Sequence, residues 1–115
     1  MFVIYNHQIE QLDQHYLNQL VAQIHEHIRR HFPLDYPRIG EHGLDTFIRN
    51  GIRSGQAFDL STDRNLTLFV DFQLTFGADF PIHQPWATPI LQNEDLTEDE
   101  KMEQLLACLD EDGNE

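Results

Sequence analysis

The sequence predicts an all-α fold, a compact bundle of about four helices with an irregular proline-rich segment before the last. Three observations predict it. Apolar residues recur at three- and four-residue steps up to His31. A capping pair, Thr97 and Glu100, opens a second amphipathic run near the end. The densest apolar run, residues 66–76, lies between N-cap candidates and a glycine. That run sits in the stretch 58–91, around which the chain is organised and which holds the only tryptophan, Trp86.

The central run has two readings by periodicity. As a strand, Leu66, Leu68, Val70, Phe72, Leu74 and Phe76 share one face, and Phe69 is the exception. As a helix, Arg64, Thr67, Asp71 and Thr75 form one polar stripe, and Gln73 is the exception. β-Branched and aromatic content favours the strand. Ser61 or Thr62 as N-cap, Asp63 in the first turn, Gly77 as a stop and a span beyond the usual strand length favour the helix. The helix is the expectation, central and buried.

The other elements follow in order. Asn6 can cap a first helix reaching His31, with Ile9, Leu12, Tyr16, Leu17, Leu20, Val21, Ile24 and Ile28 on its apolar side. Pro33 stops it, because the residue before proline avoids helical geometry, and residues 33–38 read as a loop. A second helix spans about 41–54, with Leu44, Phe47, Ile48 and Ile52 on its apolar face. Gly51 and Gly55 lie four apart on that side; a close helix approach and fraying toward a turn are both open. Residues 78–92 carry Pro81, Pro85 and Pro89 and read as irregular, laid on the core by Phe80, Trp86 and Ile90. Met102, Leu105, Leu106 and Leu109 stripe the last helix. One helical domain over 1–109 and a disordered acidic tail over 110–115 are expected.

Composition narrows the function. The net charge of −13 disfavours nucleic acid and anionic lipid and suits a basic protein partner. Six of the seven basic residues lie between positions 29 and 64, and ten of the twenty acids between 91 and 115. No apolar run approaches the roughly 20 residues that cross a bilayer. Residues 1–5 are short and lack a basic flank, so they do not read as a signal peptide. The single cysteine, Cys108, excludes an internal disulfide and a cysteine zinc site. A cytoplasmic location is the simplest expectation.

The stretches 43–52 (GLDTFIRNGI), 69–72 (FVDF), 77–80 (GADF) and 85–91 (PWATPIL) resemble small bacterial proteins encoded beside type VI secretion effectors and their adaptor chaperones. That group's pattern is an FIRxGI helix, an FIDLMF-like helix, then GxDFD and PWAxxIL. The resemblance covers about half the chain and includes no catalytic motif. It departs at residues 55–58, where an alanine–tyrosine–glycine turn is usual, and at Pro81, where a second aspartate is usual. It implies an accessory, or co-chaperone, in loading an effector for secretion.

No nucleophile elbow, phosphate loop, dinucleotide fingerprint or zinc-protease motif is present. His27 and His31 are four apart, as metal ligands could be, but they border the apolar face near a helix C-terminus, which favours packing or capping roles. Neither metal nor cofactor is expected, and the chain reads as no enzyme. Arg49 and Arg53 can meet an acidic partner or stay solvated. Glu98, Asp99 and Glu103 can steer a basic partner, so their reversal to lysine is expected to slow association and barely alter folding. Trp86 reads as core anchor or docking hot spot. The expected function is a protein-binding accessory for a type VI effector. The alternative is an immunity protein that neutralises a toxin by direct binding; a metal-dependent enzyme rests on the histidines alone.

Overall fold

The structure is a computed structural model that describes the backbone of residues 14–113 and the side chains of residues 14–108. Among the described residues every regular element is helical: α1 (Gln14–His31), α2 (Asp35–Ile39), α3 (Glu41–Ala57), α4 (Asp63–Phe76), α5 (Phe80–His83), α6 (Ala87–Leu91) and α7 (Glu98–Gly113). The protein is all-α, and α1, α3, α4 and α7 are the long helices. No described helix is long and apolar enough to cross a membrane. By contact the chain divides into two compact units, Met1–Arg49 and Asn50–Glu115, with the boundary inside α3, where the sequence suggests one domain over 1–109.

In the first unit α1 buries Leu20, Val21, Ile24 and Ile28, the expected stripe. The Asn6 cap, Ile9 and Leu12 lie outside the described residues. After Pro33 the expected loop is in fact the short helix α2. The amides of Asp35 and Tyr36 both donate to Phe32 O, at 3.1 and 3.2 Å. Pro37 fits because it falls in the first turn, where its missing N–H leaves no helical bond unmade. Gly40, at φ 88°, ends the turn. The early part of α3 then buries Leu44 and Ile48.

In the second unit the glycines of α3 take the close-approach reading. A methyl at Gly51 would collide with Gln73 Oε1 and stand 2.9 Å from Val70 Cγ2; one at Gly55 would stand 2.9 Å from Leu66 Cδ2. α3 ends in a 6→1 and 5→2 bond pair, Leu60 N to Gly55 O (3.1 Å) and Asp59 N to Gln56 O (2.9 Å). Asp59 occupies the positive-φ position at 70°, where glycine is usual. The connection to α4 is therefore tight, and Leu60 is buried within it.

The central run is helical, as its caps indicate. Thr62 Oγ1 accepts from Asn65 N at 3.2 Å, and Gly77, at φ 105°, donates to Gln73 O at 2.8 Å. α4 buries Leu66, Phe69, Val70 and Phe72, and also the polar Asn65 and Gln73. Gln73 is tolerated there because its Nε2 donates to Ala78 O at 3.1 Å, just past the helix end.

Residues 78–92 are more regular than expected. They hold α5 and α6, with Pro81 in the first turn of α5 and Pro89 in the first turn of α6. Proline there costs no helical hydrogen bond, so proline density marks helix starts as well as irregular chain. The Thr88 hydroxyl donates to Pro81 O and ties the two helices. The segment does lie on the core: Phe80, Ala87 and Leu91 are buried. Phe80 packs 5.2 Å from Phe69 and 5.5 Å from Phe72, ring to ring.

α7 opens with the expected capping box. Glu100 N donates to Thr97 Oγ1 at 3.1 Å, and Thr97 N donates to Glu100 Oε1 at 2.9 Å. Met102 and Leu105 are buried, and Leu106 is half-buried. The helix runs to Gly113, into the tail expected to be disordered, since no glycine or proline interrupts it earlier. The side chain of Leu109 lies outside the described residues.

Candidate binding surfaces

Three places collect polar or exposed groups. The first is an open groove of about 510 Å³ in the first unit, lined by Asn18, Val21, Ala22, His25, Glu41, His42, Asp45 and Arg49. Asp45 is its hub. Its Oδ2 accepts from Arg49 Nε at 2.9 Å, and its Oδ1 lies 3.4 Å from His25 Nε2. Arg49 also donates from Nη2 to Asn18 Oδ1 at 3.1 Å. The hydrogen bond from Arg49 pulls the Asp45 carboxyl below its ordinary range; burial opposes this, and His25 adds to the lowering. The lining side chains are two imidazoles, two carboxylates, a guanidinium, an amide and two apolar groups, which can donate and accept hydrogen bonds to a bound group.

Beside it in the same unit, Arg29 Nη2 donates to the Tyr36 hydroxyl at 2.8 Å, and the guanidinium stands 4.7 Å from the ring centroid. The bond to Tyr36, then the neighbouring charges, raise the Arg29 pKa above its ordinary value. The rings of His27 and His31 lie tilted at 42° with centroids 4.6 Å apart, and His27 lies 6.5 Å from Phe32. Among the described residues no group of three His, Cys, Asp or Glu side chains converges as a metal site needs.

The second place is the corner that joins α3 to α4, together with the first turn of α7. Glu98 accepts from Ser61 N (2.9 Å), Ser61 Oγ (2.6 Å), Thr62 N (3.3 Å) and Asn65 Nδ2 (2.8 Å). Asn65 Nδ2 also donates to Asp99 Oδ1 at 2.8 Å. Burial is the largest single influence on Glu98 and raises its pKa, but the bonds from Asn65, Ser61 and Thr62 together outweigh it and leave the carboxyl below its ordinary value. One turn on, the buried Lys101 donates from Nζ to Phe58 O at 3.2 Å, at the C-terminal end of α3. An acid thus meets the amide end of one helix and a base the carbonyl end of another, as the helix dipoles favour.

The third place is the segment around α5 and α6. Trp86 is half-buried, edge-on to Phe72 (6.3 Å) and Phe76 (5.7 Å). Ile82 on α5 is 79% exposed.

The expected partner-binding residues therefore divide. Arg49 belongs to the first unit and is engaged by Asp45 and Asn18. Arg53 and Glu103 are exposed. Glu98 and Asp99 meet at Asn65, so their reversal to lysine removes bonds to a buried side chain and is expected to reach folding as well as association. Trp86 packs on Phe72 and Phe76 and stays half-buried. The sequence reading missed His25, His42 and Asp45 as groove residues; their approach across 20 positions, as for His25 and Asp45, leaves no local pattern. No family model, no curated protein and no solved structure matches the chain.

Proposed function

We propose that the protein is a non-enzymatic, protein-binding accessory that works in the cytoplasm, as co-chaperone or adaptor partner, in loading a type VI secretion effector. The observation that carries the binding role is the groove around Asp45, an open set of hydrogen-bonding and charged groups. The secretion role rests on the resemblance at residues 43–52, 69–72, 77–80 and 85–91. The test is co-expression with the adaptor and effector encoded beside its gene, read by co-elution, together with effector export from a deletion strain. A stoichiometric complex with the adaptor and reduced export are expected. Absence of a complex with unchanged export overturns the role.

The net charge of −13 favours a second reading, an immunity protein that covers a basic toxin. Rescue of cells from the co-expressed neighbouring toxin, without any effect on export, would select it.

A further inference from the structure

The longest run of the chain without Asp, Glu, Lys or Arg is residues 80–93, in a protein of net charge −13. That run is α5, α6 and their connections, and beside the exposed polar His83, Gln92 and Asn93 its surface presents apolar groups. Ile82 is 79% exposed, Pro85 and Pro89 are exposed, and Trp86 and Ile90 are half-buried. Depletion of charge together with a tryptophan is the composition of an interface centre rather than of a solvated face. The platform beneath is rigid. Trp86 rests edge-on against Phe72 and Phe76, Phe72 stacks on Phe80, and the Thr88–Pro81 bond fixes α6 to α5. A preordered aromatic surface loses little freedom when it is covered. The run is bounded in sequence by acids, Asp79 on one side and Glu94 and Asp95 on the other, all exposed.

We propose that the α5–α6 surface, centred on Ile82 and Trp86, docks an amphipathic helix of a partner protein whose apolar stripe is bordered by lysine or arginine. This rests on the protein-binding reading above and gives it a surface and a partner chemistry. The apolar stripe covers Ile82 and Trp86, while the basic border meets Asp79, Glu94 and Asp95. Strand addition is not the recognition mode, because the described residues offer no sheet edge. Unlike Glu98, none of these three acids accepts a hydrogen bond that joins α7 to the corner.

Trp86, the only tryptophan, is the reporter. The full chain is titrated with a synthetic leucine–lysine amphipathic helix, a leucine–glutamate helix with the same apolar stripe, and a proline-rich peptide. The leucine–lysine helix is expected to shift Trp86 emission to the blue, saturably, and to bind more weakly as salt rises. Ile82→Asp is expected to weaken it on the order of tenfold. Ile82 is too exposed for that change to threaten the fold, and Leu34→Asp, at an 85% exposed leucine of the other unit, should leave binding unchanged. Equal binding of the acidic helix, preference for the proline-rich peptide, equal weakening by Leu34→Asp, or an emission shift that depends only on protein concentration would each overturn the proposal. The assay contains neither adaptor nor effector, so its failure leaves the loading role standing, and failure of the loading test leaves this surface standing.

Discussion

Among the described residues Glu98 is a point where several donors converge. Removing it returns the exposed donors of Ser61 and Thr62 to water and takes one of two bonds from the buried Asn65, and a hydrogen bond exchanged for water in this way is worth about 0.5–1.5 kcal/mol. Glu98→Ala should therefore lower stability by about that amount in chemical denaturation. The pH dependence has a definite sign. The folded pKa lies below the ordinary 4.5, so the unfolded chain binds the proton first. Glu98's contribution is complete above pH 4.5 and is lost as pH falls through its folded value. The denaturation midpoint of the native protein should fall below pH 4.5 more steeply than that of Glu98→Ala. Asp59 offers the opposite case. It holds φ 70°, a conformation costly for a side chain with a Cβ. Asp59→Gly should raise stability by about 0.5–1 kcal/mol in the same measurement.

Among the helices, α3 and α4 meet where glycine removes a side chain. At Gly51 two effects compete. Alanine favours the helix by about 1 kcal/mol, and overpacking a filled contact costs about 1–3 kcal/mol. Val70 Cγ2 and the buried Gln73 Oε1 leave no room, so overpacking wins and Gly51→Ala should destabilise. In a Gln73→Ala background the same change should cost less, and a double-mutant cycle measures the difference. This contact also separates what was legible from what was not. The all-α class, the Thr62 cap, the Gly77 stop and the Thr97–Glu100 box were legible because each is a local bond within a few positions. The glycine spacing suggested a close approach without naming Val70 or Gln73. α2, α5 and α6 were hidden because their prolines, read as breakers, sit in first turns. Glu98 read as a charge that steers a partner, and Lys101 carried no signal, because their partners lie 33–43 positions away. The candidate groove had no motif at all, only His25, Asp45 and Arg49 converging through the fold.

For the whole molecule, twenty acids face seven bases. The exposed ion pairs, Arg29–Glu26 and Arg38–Asp35 among them, are worth about 0–1 kcal/mol each and weaken with salt. Repulsion among the surplus acids is also screened, over about 10 Å at 0.1 M salt. The surplus is larger than the pairs, so repulsion decides: the melting temperature at pH 7 should rise as sodium chloride is added. Glu103→Lys, at an exposed acid of α7, should raise it at low salt and leave less for added salt to do. A fall in melting temperature with salt would show that the ion pairs dominate instead.

The corner between α3 and α4 has a consequence in time. Its closing groups, Glu98 and Lys101, lie 37 residues beyond Ser61 and 43 beyond Phe58. At about 5–20 residues per second, a ribosome makes the two helices seconds before it makes the charges that complete their junction. During that interval the amides at Ser61 and Thr62 and the carbonyl at Phe58 have only water to bind. The arrival of α7 then satisfies both helix ends at once, with an acid and a base one turn apart, so the junction is complete only when the last described helix has been made.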